Sequence, residues 1–200
     1  ANLFEKKSFP VFRGDDISII DRMLRLAFIE KASSILRVTG DNPFTDPYLM
    51  NEMSQMLNKH NLDYVRVNNA PFGVSAELFS TKYLWKLYLN LESTEYSEYL
   101  SWYVLNDKDV KMGSIDILTD KKTNINLSVD YEKDFQDCKK LLLKIDKDFS
   151  EITLNDIINN ISVLKGIDLD SEIKLPKGNQ IKLNKYLKNF KDKTSFVRGK

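Results

Sequence analysis

Cysteine is almost absent from this chain, and Cys138 stands alone among 200 residues. A single thiol excludes an internal disulfide framework and a cysteine-rich zinc site. Charge of one sign is also missing. The net charge is +1, so bulk electrostatics points to neither a nucleic acid nor an acidic surface as partner. No apolar run reaches membrane-spanning length, and the first residues do not read as an export signal. The reading is a protein of a reducing, cytoplasmic compartment with no membrane partner. The glycine-rich dinucleotide and P-loop patterns, the H-E-x-x-H zinc motif and the G-x-S-x-G nucleophile elbow are all missing.

What is present suits a globular chain with a substantial core: 42% hydrophobic and 30% charged residues. The first residues, Asn2 to Lys7, look like the tail of a helix. Phe9-Pro10-Val11-Phe12 reads as a short strand, with Asp15 and Asp16 able to cap the helix behind it. In that helix Ile17, Ile20, Leu24, Ala27 and Phe28 recur at helical spacing. Ser34 to Thr39 is the next strand, and Asp46-Pro47 supplies an N-cap with proline in the first turn. Further strands are expected over Leu62 to Val67, Glu77 to Phe79 and Ile125 to Val129, with Val110 to Leu118 extended and broken by Gly113. A helix is expected over Glu132 to Ile145, and Thr153-Leu154-Asn155-Asp156 reads as a capping box. Strands alternating with helices imply an α/β fold: a Rossmann-like, mostly parallel sheet with helices on both faces.

From Lys165 the composition shifts, with ten Lys and Arg against four acids. Glu172 to Leu183 reads as a hairpin turned at Pro176-Lys177-Gly178-Asn179. The expected division is an α/β domain over 1–164 and a small basic appendage over 165–200 that stays outside the core and docks on the sheet domain or a partner. It carries no nucleic-acid-binding signature.

Ligands of open α/β sheets sit beyond the carboxyl ends of the strands. Gly40-Asp41-Asn42-Pro43 stands at such an end. Asp41 there either binds a hard cation such as Mg²⁺ or caps backbone amides. Asp130 follows the strand at Ile125 to Val129 and faces the same choice; together the two aspartates could share one ion and serve phosphoryl transfer. Arg37, inside an otherwise apolar strand, needs a core carboxylate or a bound phosphate. His60 at a helix end, Cys138 and the Met50, Met53, Met56 cluster read as structural.

The run Arg37 to Pro43 with Asp46-Pro47 resembles the R-[IV]-T-G-D-x-P-x-x-D-P segment of the sugar cytidylyltransferases. The branch it most resembles is the spore-coat polysaccharide type, related to the acylneuraminate and 3-deoxy-manno-octulosonate enzymes. Val11-Phe12-Arg13-Gly14 with Asp21-Arg22, then Pro71, Gly73, Glu77 and Phe79-Ser80, then Ser128-Val129-Asp130 with Asp134, resemble further family segments in the right order. The resemblance implies CTP-dependent transfer to a sugar with Mg²⁺, pyrophosphate leaving as a CMP-sugar forms. It implies Asp41 and Asp130 as metal ligands and catalytic groups, and Arg37, Asn42, Glu77 and Glu98 on the substrates. It allows a homodimer. The family opens with a strand and a basic glycine-rich loop, which no residue before Phe9 supplies; Ser75 stands where an aspartate is common, and Ser97-Glu98-Tyr99 where R-E-H is frequent. Two other readings follow: an inactive relative that binds a nucleotide or a partner, and a nucleotide-sugar-dependent glycosyltransferase.

Overall fold

The computed structural model describes residues 2–121 and 123–199. Its centre is a five-stranded sheet: β1 (Ser34–Arg37), β2 (Tyr64–Asn68), β3 (Glu77–Ser80), β4 (Met112–Asp116) and, far along the chain, β7 (Phe196–Gly199). In space the order is β1-β3-β2-β4-β7. β2 pairs parallel with β4 and β4 with β7, whereas β3 pairs antiparallel with both β1 and β2. Four strands therefore run one way and β3 alone is reversed, which keeps the sheet mostly parallel. A two-stranded hairpin, β5 (Glu172–Lys174) and β6 (Gln180–Lys182), stands apart.

Among the described residues eight α-helices surround this framework: α1 (Asn2–Lys6), α2 (Ile19–Ile29), α3 (Pro47–His60), α4 (Thr81–Asn90), α5 (Leu100–Asn106), α6 (Glu132–Ile145), α7 (Leu154–Asn160) and α8 (Leu183–Lys193). Their starts follow local chemistry. Asp46 accepts from the Tyr48 and Leu49 amides ahead of Pro47, and Ser80 Oγ accepts from the Tyr83 amide. Ser18, not Asp15 or Asp16, caps α2; Asp15 instead accepts from the Ile17 and Ser18 amides. Ile20, Leu24 and Ala27 of α2 are buried, while Ile17 and Phe28 at the edges of the same stripe are exposed.

Successive strand residues face opposite sides of the sheet. One side carries Val65, Val67, Leu78 and Ile115, which pack with Leu49, Met53 and Met56 of α3. The other buries Tyr64, Phe79 and Met112 against α2, α4, α5 and α8. A third cluster ties α6 and α7 to Phe44, Val74 and Leu127.

Four expectations are corrected. Phe9 to Phe12 forms no strand: Phe9 is exposed, and Pro10 has no amide to offer a ladder. Gly113 does not break β4, because a Cβ there would stand 2.6 Å from Leu62 Cδ1; the glycine is what lets α3 and the strand before it lie close. Ile125 to Val129 is extended but joins no ladder; its backbone bonds go to Phe72 and to Asp41 instead. The segment from Lys165 is no mere appendage to the core. It supplies β7 at the sheet edge and, through α8, Phe190, which is fully buried in the main cluster. Its lysines line the outer side of α8 while Tyr186 and Phe190 turn inward, so a basic composition hides an amphipathic helix.

Candidate active site

The two faces of the sheet differ toward the carboxyl ends of the parallel strands. The face against α3 is apolar over β1 to β4, and only at β7 does it carry a charge, where Arg198 pairs with Glu52 of α3 at 3.3 Å. On the other, the buried Tyr64, Phe79 and Met112 give way one step along to Arg37, Arg66, Glu77 and Ser114, and then to Asn68 and Asp116. The register places Arg37 opposite Glu77, Arg66 opposite Ser114, and Asn68 opposite Asp116. Polar side chains this deep need partners. Arg37 donates to Glu77 Oε2 at 2.8 Å, and the Tyr64 hydroxyl donates to Glu77 Oε1 at 3.0 Å. Asn68 donates to Asp116 Oδ1 at 2.9 Å, and Ser114 Oγ to the same oxygen at 2.7 Å. Burial, and next the Glu77 charge, push the Tyr64 phenol well above its ordinary value. Tyr64 therefore acts as a fixed hydrogen-bond donor.

Beside this face three loops meet. The Asp41 carbonyl accepts from the Val129 amide at 2.8 Å, and Ser128 Oγ donates to Asp41 Oδ2 at 3.1 Å. Phe72 exchanges backbone bonds with Ile125 and Leu127. Gly73 adopts φ +89°, and a Cβ on it would stand 2.7 Å from the Ser128 amide nitrogen, so this close approach requires glycine. Around Gly40, by contrast, a Cβ would meet nothing within 4 Å, and the backbone faces open space. Thr39 foremost, then Ser128 and the Arg37 charge, hold the Asp41 carboxyl below its ordinary value despite desolvation. Its Oδ1 is nevertheless buried without a well-formed hydrogen bond.

The backbone of Asp41 thus meets the chain one residue before Asp130, since the amide bound by the Asp41 carbonyl belongs to Val129. Asp130 is exposed and does not cap α6; Asp134 does, accepting from the Asp130 and Tyr131 amides. Among the described residues no group of three or more His, Cys, Asp or Glu is placed to hold a metal ion. Arg37 and Glu77 find each other. Asn42 holds its own turn, donating to Thr39 Oγ1 at 2.8 Å. Glu98 lies in a short turn, Ser97–Tyr99, and its side chain falls outside the described residues. Arg66, Tyr64 and the Asn68–Ser114–Asp116 cluster escaped the reading of the sequence. The signal was there, since Arg66 and Asn68 alternate with Val65 and Val67 in one strand.

A family model described as cytidylyltransferase matches residues 6–190. The chain belongs to the cytidylyltransferase family. Uncharacterized protein MJ1063 of Methanocaldococcus jannaschii is 30% identical over 149 residues, 72% of this chain and 59% of the relative. Spore coat polysaccharide biosynthesis protein SpsF of Bacillus subtilis is 34% identical over 102 residues, 50% of this chain and 42% of SpsF. This family member thus spans about half the length of the curated relatives it matches. Its fold resembles that of a cytidylyltransferase from Leptospira borgpetersenii, with a TM-score of 0.70 at 21% identity, covering 81% of this chain and 69% of that one. Among the described residues, no helix is long and apolar enough to cross a membrane.

Proposed function

We propose that this cytidylyltransferase-family chain takes part in CTP-dependent nucleotidyl transfer to a sugar, giving a CMP-sugar for a surface polysaccharide. In the reaction a sugar hydroxyl attacks the α-phosphate of CTP; the bond to the β-phosphate oxygen breaks, pyrophosphate leaves and the hydroxyl proton is lost. The observation that carries this reading is the meeting of Asp41 with the Ser128–Asp130 segment beside an open glycine turn. The name of SpsF supports a polysaccharide sugar as acceptor.

Asp41 and Asp130 are the residues that would hold Mg²⁺. The orphaned Oδ1 of Asp41 and the exposed carboxylate of Asp130 fit an ion that takes one or two carboxylates and completes its shell with water and phosphate oxygens. Bound there, Mg²⁺ would offset the charge that builds on the phosphates. Ser128 and Thr39 orient Asp41 and keep it ionised. Arg37 and Tyr64 fix Glu77 on the acceptor side of the site.

Calorimetric titration with CTP and Mg²⁺ tests the reading. None of the described residues supplies the basic glycine-rich loop that the family resemblance implies. CTP should therefore bind this chain more weakly than about 1 μM, roughly −8 kcal/mol, yet bind measurably. Asp41→Asn and Asp130→Asn should each remove the Mg²⁺ dependence. Binding that ignores both Mg²⁺ and the two substitutions would overturn the metal site and favour an inactive relative.

A further inference from the structure

Arg66 lies on the polar face described above, yet it shares in none of that face's pairings. Its guanidinium carbon stands 3.9 Å from the centroid of the Phe190 ring. Its Nε is buried and has no hydrogen-bond partner, and among the described residues no carboxylate forms an ion pair with it. Both carboxylates of this face are already engaged: Glu77 by Arg37 and Tyr64, Asp116 by Asn68 and Ser114.

A guanidinium stays charged at any physiological pH, and a half-buried one normally finds a carboxylate or phosphate. The Phe190 ring offsets part of the cost of desolvation but offers no acceptor. Phe190 is fully buried, and Tyr186 packs edge-on against it with ring centroids 5.2 Å apart; the Tyr186 hydroxyl pairs with Ser101 Oγ at 2.7 Å. The aromatic support beneath Arg66 is therefore itself fixed, and the guanidinium is pre-oriented with its donors unspent.

We propose that Arg66 is a specificity-determining residue that receives an oxyanion, a carboxylate or phosphate borne by the acceptor sugar, with Phe190 of α8 as its stacking platform. The inference rests on the reading of this face as the acceptor side of the site. The positive charge stands on the strand next to Glu77, so an acceptor held by Glu77 would present its acidic group to Arg66. Arginine's planar fork suits both candidate groups bidentately.

The test uses the whole chain without CTP or Mg²⁺. Its thermal midpoint is followed with D-glucuronate, D-glucose 6-phosphate or neutral D-glucose at matched ionic strength. Near ten times the dissociation constant the anionic sugar that fits should raise the midpoint by about 3–6 °C, and glucose should not. A response to glucuronate alone identifies a carboxylate, to the phosphate ester alone a phosphate, and to both the shared oxyanion chemistry. Arg66→Met should abolish the response while leaving the free protein as stable or more so, since it removes an uncompensated charge. Arg66→Lys, which keeps the charge but loses the fork, should weaken binding at least threefold and serves if the methionine variant does not fold. An equal response in wild type and both variants, or no response to either anion, overturns the inference. CTP titration is independent of this outcome: a lost anion response with intact CTP binding removes only the role of Arg66, while the reverse removes nucleotidyl transfer.

Discussion

Replacing Phe190 by alanine tests whether the C-terminal segment belongs to the core. Phe190 is fully buried among Tyr64, Tyr186 and the guanidinium of Arg66, with ring centroids 6.4 Å and 5.2 Å away for the two tyrosines. Truncating a buried phenylalanine costs about 3–5 kcal/mol, transfer and cavity together. For 200 residues the unfolding entropy is about 0.4 kcal/mol per degree. The midpoint should therefore fall by about 7–12 °C, a large part of the roughly 5–15 kcal/mol that such a domain possesses. Phe190→Leu refills most of the volume but removes the aromatic ring, and should cost about 1–2 kcal/mol. Calorimetry gives both numbers, and near-ultraviolet circular dichroism reports whether the tyrosine environment loosens with the main transition. A midpoint for Phe190→Ala within 2 °C of wild type would show that α8 is peripheral and that its packing contributes nothing to the sheet.

Two further perturbations follow from the charge pairs. Arg37→Met leaves Glu77 with the Tyr64 hydroxyl alone in a half-buried setting; a loss of about 1–3 kcal/mol is expected in urea melts, and Glu77→Gln in the same background should recover part of it. Lys147 first, then Thr153, draw the Asp156 carboxyl down to about 2 from 3.8. The folded value lies below the unfolded one, so the stabilisation is fully present above about pH 4 and is lost as pH falls toward 2. Urea midpoints should drop across that window and flatten in Asp156→Asn, and an unchanged pH dependence in the variant would show that the contact does not form.

Much of the fold was legible because local chemistry and tertiary packing agree. Asp46-Pro47, Ser80 and Thr153 start helices where their side chains require it, and α6 spans the residues its periodicity marks. The direction of β3 was not legible. Glu77 to Ser80 is an apolar pair between polar ends, a pattern that serves a parallel or an antiparallel neighbour alike. β7 escaped because Phe196 and Val197 remain partly exposed at an edge, so the strand lacks the continuous apolar run of a buried one. At the candidate site Asp41 was legible as a residue beyond a strand end, and Arg37 as a charge needing a carboxylate or a phosphate, whereas the segment before Asp130 proved extended without joining the sheet. Arg66 was not singled out, because the lack of a partner is a property of three-dimensional surroundings.

The position of β7 has a consequence for biosynthesis. Between Asp116, where β4 ends, and Phe196 the ribosome must add eighty residues before the outer ladder can close. At about 5–20 residues per second this takes roughly 4–16 s, much longer than collapse or helix formation. During that interval β4, whose Met112, Gly113, Ser114 and Ile115 are buried in the finished protein, presents an unpaired edge to whatever strand is nearest. The nascent chain thus passes through a window in which another copy can occupy the place of its own final strand, and slowing translation across residues 117–195 should lower soluble yield without altering the stability of the finished protein.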